Sequence, residues 1–302
     1  MRAFLPFAIA ACFGCGAAPA PSVAAVDAAD AAPADAPIEL RITLPTALVE
    51  YDRTQTITIE DLGGHHVRLE GRSRMQLRRQ GQDEGYSVLR YLLYEPIDYR
   101  TDGQTQSPGP EMAGLEQQQV RSFVDPRGRL VEGPELTGAP QRRQLSAAVL
   151  ALSRLIEPMY PPEPVRVGES WSEPTVLWNT PPIELAVVEI DRTWTLLAVE
   201  GEGADRRARI GWDVRMRVRP FEISGVSISG RGRLEGFSVV ALADGVRGHA
   251  ALDLTFEAGP AGAEDVIPLF RLEAKLADRI EPAAASSGGE LIQSVGFARS
   301  VD

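Results

Sequence analysis

The sequence has very little cysteine and histidine, which restricts both its covalent architecture and its chemistry. Among 302 residues there are two cysteines, Cys12 and Cys15, and three histidines, His65, His66 and His249. Because no cysteine follows residue 15, a disulfide framework is excluded for the rest of the chain. His65 and His66 are adjacent and would point to opposite faces of a strand, while His249 stands alone. The sequence therefore predicts no metal site and no cofactor.

Catalytic motifs are also lacking. Residues 168–172, Gly-Glu-Ser-Trp-Ser, begin like the nucleophile elbow of a hydrolase, but the second glycine and the strand-to-helix context are missing. His249 is predicted to lie on the charged face of a strand together with Arg247 and Asp253. We therefore expect a protein that is not an enzyme. A hydrolase is the weakest alternative, since it would need a histidine, a carboxylate and a serine to converge in space.

The chain has no excess of positive charge and almost no lysine. It carries 31 Lys+Arg against 42 Asp+Glu, a formal net charge of −11, and Lys275 is its only lysine. Nucleic acid is excluded as a partner, because binding its phosphates requires a basic surface. With 44% hydrophobic residues, the chain still has enough apolar surface for an ordinary core.

No hydrophobic run is long enough to cross a membrane as a helix. The apolar residues 3–11 fall well short of the roughly 20 that a spanning helix needs, and after Met1-Arg2 they fit a short secretion signal over residues 1–15. Residues 9–12, Ile-Ala-Ala-Cys, resemble the lipobox of bacterial lipoproteins, in which the peptidase cuts before a cysteine that carries the lipid. Cys15 has a poorer context but gives a more ordinary signal length. Cys12 or Cys15 is therefore the predicted lipid attachment site, and a plain secreted protein with incidental cysteines is the alternative.

The next segment is predicted to be a flexible spacer. Residues 16–37 consist almost wholly of Ala, Pro, Asp, Gly, Ser and Val, which offer too little apolar surface to offset the entropy of ordering. In enteric bacteria an aspartate directly after the lipidated cysteine favours the inner membrane, whereas here that position is Phe13 or Gly16. We expect a cell-envelope protein, attached to the outer membrane by an N-terminal lipid and facing the periplasm or the cell surface.

The body, residues 38–282, is dominated by the period-two alternation of half-buried strands. Segment 86–98 is apolar on both faces and is predicted to be a central strand that is covered twice. Strands of about ten residues joined by short turns predict a mainly β protein with an antiparallel curved sheet, a barrel or half-barrel. The predicted strands are 38–44, 54–60, 65–79, 86–98, 118–124, 129–132, 210–218, 225–240, 246–257 and 270–276.

One amphipathic helix is predicted, over residues 142–157, because apolar residues recur there at spacings of four, three and four. It is predicted to pack on one face of the sheet, with a lid over a lipophilic cavity as the alternative. Three prolines in residues 161–164 and then Gly168 predict extended chain and a sharp turn, so two β-rich halves would meet near residues 158–171. Residues 283–302 are predicted to be a loose tail.

Residues 164–171, Pro-Val-Arg-Val-Gly-Glu-Ser-Trp, resemble the P-V-x-x-G-[DE]-x-W signature of an uncharacterised family of secreted bacterial β-rich proteins. Residues 123–130 and 230–232, with the strand-turn-strand around residues 244–245, are similar to that family as well. The resemblance covers about residues 38–280 and implies an architecture, without a reaction or site residues. The predicted architecture is also similar to that of lipoprotein carriers such as the periplasmic lipoprotein chaperone, an analogy that does not decide function.

Two groups of side chains are candidates for a ligand or partner surface. Four tryptophans gather in the middle of the chain and either line a sugar- or lipid-binding cleft or pack in the core. Arg215 and Arg217, with Arg209 and Arg219 nearby, form a basic ladder on one sheet face. That ladder either contacts anionic lipid head groups or another envelope protein, or is solvated beside acidic neighbours. The four tryptophans are Trp171, Trp178, Trp194 and Trp212.

These patterns predict a non-enzymatic envelope lipoprotein whose curved sheet binds a hydrophobic ligand or an envelope protein partner. The alternative is a purely structural or interaction module without a small-molecule site. An apolar cavity enclosed by the sheet and the helix at residues 142–157 would favour ligand binding. A filled core with an exposed apolar patch would favour the interaction module.

Overall fold

The described residues form a single antiparallel sheet of thirteen strands. The computed structural model describes residues 36–45, 47–61, 64, 66–81, 87–94, 98–106, 119–136, 159–178, 187–223, 225–262 and 269–283. The strands are β1 (Val49–Asp61), β2 (His66–Gln80), β3 (Ser87–Tyr94), β4 (Asp98–Thr101), β5 (Gln104–Gln106), β6 (Gln119–Val124), β7 (Leu130–Leu136), β8 (Ser170–Trp178), β9 (Val188–Glu200), β10 (Arg207–Ile223), β11 (Val226–Ala241), β12 (Arg247–Pro260) and β13 (Phe270–Pro282).

Two antiparallel meanders build this sheet, and pairing between its first and last strands joins them. The order along the sheet is β7-β6-β3-β2-β1-β13-β12-β11-β10-β9-β8, while β4 pairs with β2 and β5. At the junction, Ile57 of β1 lies opposite Leu276 of β13. The mainly β, antiparallel fold predicted from the alternation is thereby confirmed. Within the described residues β7 and β8 form the two ends of the sheet, so the sheet is open rather than closed into a barrel.

The predicted helix at residues 142–157 lies outside the described residues, which contain no α-helix. The predicted signal peptide and nearly all of the predicted spacer and tail also lie outside them, so these boundaries stay predictions. Across the described ranges, no helix has the length and apolar character needed to cross a membrane.

The sheet has a buried side and a solvent-facing side, which we call the inner face and the outer face. On β10, Trp212 and Val214 are buried on the inner face, and the next residue, Arg215, is exposed on the outer face. Inner-face residues from β1 to β3, β6 and β9 to β13 belong to one cluster, so the sheet curls around a single core. Val88 and Leu89, adjacent on β3, are both buried, which confirms that this strand is covered on both faces.

Segment 38–44, predicted to be a strand, is extended but pairs with no described strand, which corrects that prediction. The apolar residues of its alternating pattern are nevertheless buried, since Leu40 and Leu44 are 3% and 2% exposed. Its backbone bonds to turns instead, and the Thr43 amide donates to the carbonyl of Asp244 at 2.7 Å. The segment crosses the turns at one end of the sheet and covers the core there. Alternating burial alone does not distinguish such a cover from a strand.

The proline-rich stretch before β8 packs against the same end of the sheet. Gly168 has a φ of 89°, a conformation open to glycine, which confirms the predicted turn. The buried Tyr160 donates its hydroxyl hydrogen to the carbonyl of Gly245 at 2.7 Å. Trp171 Nε1 donates to the carbonyl of Met159 at 2.6 Å. This stretch therefore ties the edge strand β8 to the turn between β11 and β12.

A β-bulge on β12 reverses the predicted orientation of Arg247. His249 lies opposite Val239, whereas Arg247 lies opposite Val240, so Gly248 is the extra residue. Arg247 therefore points to the inner face, where it is 6% exposed. The prediction that it shares the charged face with His249 was wrong, because simple alternation cannot anticipate the inserted residue.

Asp278, on the inner face of β13, holds two buried arginines together. Arg53 donates from Nε to Oδ1 and from Nη2 to Oδ2 of Asp278, each at 3.0 Å. Arg247 Nη2 also donates to Oδ2. Burial by itself raises the pKa of Asp278, but the two arginines together outweigh it and hold the pKa below its ordinary value. These three residues, the buried triad, lie on β1, β12 and β13 and so connect both meanders.

Candidate functional site

The tryptophans that were candidates for a surface are mainly core residues. Trp194 stacks on Trp171 with a centroid distance of 6.3 Å and meets Trp212 edge-on at 6.0 Å. Trp194 and Trp212 are 0% and 4% exposed, and Trp212 Nε1 donates to Ser238 Oγ at 3.0 Å. For Trp194 and Trp212 the second of the two interpretations therefore holds, because their large apolar rings fill the core. Trp178 pairs through its backbone with Val188 of β9.

The described interior is filled rather than hollow. Inside the curl of the sheet lies a cavity of about 80 Å³, bordered by residues such as Met75, Val88, Arg90 and Tyr160. Sites for small apolar ligands usually measure about 300–1,000 Å³. This cavity is therefore too small for a lipid, and the buried arginines beside it make its wall polar.

The outer face carries two parallel rows of mostly charged side chains across β9 to β13. Strand register places neighbouring members of each row directly opposite one another. Because the Cβ atoms of directly opposite residues lie about 5 Å apart, each row is a nearly continuous line of charge. The first row is Asp191, Arg215, Arg233, Thr255 and Glu273. The second row is Glu189, Arg217, Arg231, Glu257 and Arg271.

Four arginines form a block at the centre of these rows. Arg215 of β10 lies opposite Arg233 of β11, and Arg217 lies opposite Arg231. Like charges placed directly opposite each other destabilise a sheet, typically by a few tenths to about 1 kcal/mol per pair. The block therefore lowers the stability of the sheet unless acidic groups or a bound anion compensate it.

The first pair of the block is well compensated by acidic side chains. Asp213 accepts a hydrogen bond from Arg233 Nε at 2.9 Å and from Arg215 Nη2 at 3.1 Å. The hydrogen bond from Arg233 is the main cause that lowers the pKa of Asp213, and the same bond raises the pKa of Arg233. Arg233 also approaches Glu235 at 2.9 Å. These two arginines therefore have acidic partners within hydrogen-bonding distance.

The second pair is only loosely compensated. Arg217 lies 3.7 Å from Glu189 and Arg231 lies 3.6 Å from Glu257, both longer than a hydrogen bond. Their side chains are 77% and 86% exposed. Within the described part of the chain neither guanidinium group makes a side-chain hydrogen bond, so both have donors available for a ligand.

The block lies in a groove of about 630 Å³ on the outer face, which we call the arginine groove. Its volume falls in the range of small-molecule sites. Five arginines and two acidic residues line it, and Asp213, Glu235 and Glu189 pair with three of these arginines from just outside the lining. The charged lining residues are Arg215, Arg217, Arg231, Arg233, Arg271, Asp191 and Glu257.

A glycine fixes the backbone between two arginines of the groove. A Cβ atom at Gly232 would lie 2.8 Å from Phe256 Cδ2 and 3.1 Å from Met216 Cε. These inner-face side chains therefore pack directly against the β11 backbone, where only glycine leaves room. This packing supports Arg231 and Arg233 from behind and fixes where their side chains begin.

The histidines do not join this site. His66 is exposed, with Nδ1 3.9 Å from Glu60 Oε2, and His65 lies outside the described residues. His249 lies on the outer face beside the Phe237 ring at 5.9 Å, and burial lowers its pKa. Among the described side chains, no three potential metal ligands cluster. The arginine groove therefore offers charge and hydrogen-bond donors, and its lining includes no histidine, cysteine or serine nucleophile.

The sequence identified half of the arginine block and missed the other half. Arg215 and Arg217 stand out in the alternation of β10, and the structure places both in the groove. Arg231 and Arg233 lie among glycines on β11, and only the register with β10 brings them opposite the first two. The alternation of Arg231 and Arg233 with Gly230, Gly232 and Leu234 is the sequence signal that could have revealed them.

Comparisons with known proteins give little that bears on this site. No known protein family and no curated protein matches the chain, so the resemblance at residues 164–171 stays a prediction. Among solved structures, the chain is similar to the β domain of the Bordetella autotransporter BrkA. The two are 13% identical, the match covers 78% of this chain and 100% of that chain, and the TM-score is 0.22. At so low a TM-score the likeness carries no argument about fold or function.

Proposed function

We propose that this protein is a non-enzymatic lipoprotein of the cell envelope that binds an anionic group of an envelope partner through the arginine groove. The observation that carries the proposal is the arginine block, in which two like-charge pairs lie side by side on the outer face. Its second pair, Arg217 and Arg231, is only loosely compensated and costs stability in the free protein, and an anion bound between these two arginines would offset that cost. If this surface bound no ligand, replacing these charged residues by neutral ones would increase the stability of the protein.

The location of the groove favours a partner away from the anchoring membrane. The N-terminal segment meets the sheet at the turn of Asp244, and this turn adjoins the Arg207 end of β10 through the Leu242–Arg206 backbone bond. Arg217 lies ten residues further along β10, about 30 Å away at roughly 3.3 Å per residue. With a lipid at Cys12 or Cys15, the end nearest the anchor would be opposite the end that carries the groove.

Binding of a hydrophobic ligand receives less support. The cavity inside the described sheet measures about 80 Å³, and two of the tryptophans that could have lined a cleft, Trp194 and Trp212, are packed in the core. Of the two kinds of partner expected from the sequence, we therefore favour an envelope protein or other envelope component over an apolar small molecule.

Site-specific photo-crosslinking in cells tests this function. A photoreactive amino acid replaces Thr255, which is exposed in the groove and lies opposite Arg233. The full-length protein is compared with its Arg217→Gln/Arg231→Gln form and with an Arg74→Gln/Arg279→Gln control. Arg74 and Arg279 are exposed arginines with acidic neighbours outside the groove, so the control removes the same charge.

The expected result is a discrete adduct that the control retains and the groove variant loses. An adduct of equal yield in all three forms, or no adduct in any of them, would refute the proposed function. The lipid anchor is tested separately by metabolic labelling with an alkyne fatty acid. Labelling should disappear when the attachment cysteine, Cys12 or Cys15, is changed to alanine, and labelling that persists without both cysteines would contradict the anchor.

A further inference from the structure

We infer that the anionic group bound in the arginine groove is a phosphoryl group of a phosphomonoester, held between Arg217 and Arg231. This inference rests on the proposed function and specifies the chemistry of its ligand. It follows from the hydrogen-bond donors that Arg217 and Arg231 have available, the distribution of charge around the groove and the two loosely compensated positive charges within it.

The donors of Arg217 and Arg231 suit a ligand with several acceptor oxygens. The two residues are directly opposite on adjacent strands, so their Cβ atoms are about 5 Å apart and both guanidinium groups can reach one anion. Each guanidinium presents a planar fork that donates two parallel hydrogen bonds. A carboxylate has two oxygens and satisfies one fork, whereas a phosphoryl group has three terminal oxygens and can be shared by both.

Acidic residues around the block exclude an extended polyanion. In the second row Arg217 is flanked by Glu189 and Arg231 by Glu257, and in the first row Arg215 is flanked by Asp191. A flat anionic membrane or a long polyanion laid across these strands would meet the acidic side chains as well as the arginines. A compact anion meets only the arginines at the centre, so the charge pattern selects a single small group.

The charge of the two loosely compensated arginines fits a dianion better than a monoanion. Among the described residues, Arg217 and Arg231 carry two positive charges without a close acidic partner, and a phosphomonoester carries a charge of about −1.5 to −2 at pH 7. Arg215 and Arg233 are already bound to Asp213, so they contribute long-range attraction. Arg217 and Arg231 supply the hydrogen bonds.

Isothermal titration calorimetry on the detergent-solubilised full-length chain tests the inference. The probes are inorganic phosphate, glucose 1-phosphate and acetate, followed by dihexanoyl phosphatidic acid and dihexanoyl phosphatidylglycerol below their micellar concentrations. The last two distinguish a lipid phosphomonoester from a lipid phosphodiester. The Arg217→Gln/Arg231→Gln variant is compared with the Arg74→Gln/Arg279→Gln control, and thermal melting verifies that both are folded.

We expect glucose 1-phosphate to bind at least about 10-fold more tightly than acetate, and the groove variant to lose at least about 10-fold in affinity while the control keeps it. Tighter binding of the phosphatidic acid than of glucose 1-phosphate would indicate a lipid source, and equal binding a soluble one. The phosphodiester lipid should bind more weakly than the phosphomonoester lipid in either case.

The pH dependence supplies a second criterion. A phosphomonoester has a second pKa near 6, so its dianion falls about 4-fold in population between pH 7.5 and 5.5, while arginine stays charged and acetate stays mostly ionised. Affinity for glucose 1-phosphate should fall about 4-fold over this range, and acetate serves as the control for titration of Asp191, Glu189, Asp213 and Glu257 around the groove.

Binding of acetate as tight as that of glucose 1-phosphate, or no binding of any phosphate, would overturn the inference. If crosslinking at position 255 still depended on Arg217 and Arg231, the proposed function would be supported and only the phosphomonoester as ligand would be rejected.

Discussion

Replacing Asp278 by asparagine tests whether the buried triad stabilises the junction between the two meanders. Asp278 lies on β13, between Arg53 on β1 and Arg247 on β12, and its side chain is 0% exposed. Asparagine keeps the volume but removes the charge, so two guanidinium groups lose their shared carboxylate in the core. Removing one partner of a buried ion pair typically costs about 3–5 kcal/mol, and we expect a loss of that size.

A matched substitution on the surface separates the effect of burial on stability from the effect of pairing with two arginines. Asp213 also accepts hydrogen bonds from two arginines, Arg215 and Arg233, but its side chain is 30% exposed. Asp213→Asn should therefore cost only about 0–1 kcal/mol, because water screens the charges and solvates the arginines that remain. Urea unfolding at pH 7, followed by tryptophan fluorescence, measures both variants against the unmodified chain. Equal losses for the two variants would refute the reasoning, since it attributes the difference to burial alone.

The pH dependence of the Asp278 effect provides a further check on the same argument. The arginines hold the folded-state pKa of Asp278 below its unfolded value of about 3.9, despite the opposing effect of burial. A carboxylate with a depressed pKa stabilises the fold fully above the unfolded pKa and loses that contribution as the pH falls through the folded pKa. The difference in unfolding free energy between the unmodified chain and Asp278→Asn should stay constant from pH 8 to 5 and shrink only below about pH 4.

Three other substitutions probe the core, the backbone and the groove, each measured by urea unfolding. Trp194→Ala should cost about 3–5 kcal/mol, because it empties the centre of the aromatic stack, and a loss below about 1 kcal/mol would contradict its place in the core. Gly236→Ala should cost about 2 kcal/mol or more, because φ is 146° and the new Cβ would lie 2.1 Å from the carbonyl oxygen of Ala251; a neutral result would mean that the strand does not pass so close. Arg217→Gln/Arg231→Gln should leave stability unchanged or raise it by up to about 1 kcal/mol through relief of like-charge repulsion, and a marked loss would show that the pair is structural.

The elements most accurately predicted from the sequence were those that depend on a few neighbouring residues. The turn at residues 125–128 joins β6 to β7 as expected, with the Gly128 amide donating to the carbonyl of Asp125 at 2.9 Å. The strand at residues 210–218 is contained within β10, and its apolar and charged residues face opposite sides. Proline and glycine set local dihedral angles, and alternation follows from the pleat, so neither depends on the rest of the fold.

The errors came from features that depend on distant parts of the chain. Segment 38–44 alternates like a strand, yet its backbone bonds to the turns at Pro126 and Asp244, so it covers one end of the core. The bulge at Gly248 exists only relative to β11, and it determines whether Arg247 faces water or Asp278. Pairing between strands also placed two tryptophans, Trp194 and Trp212, in the core and left the arginines of the groove exposed.

The sequence by itself determined that the protein is built from antiparallel strands, that one face of the strand at residues 210–218 is charged, and that Arg215 and Arg217 are exposed. Only the tertiary structure decided that Arg231 and Arg233 lie opposite them, and that β1 pairs with β13 around Asp278. Side-chain alternation has a period of two and depends only on neighbouring residues. Strand register depends on the whole sheet, because it is set by burial of the inner face. The arginine groove is a consequence of register, so it exists only in the folded chain.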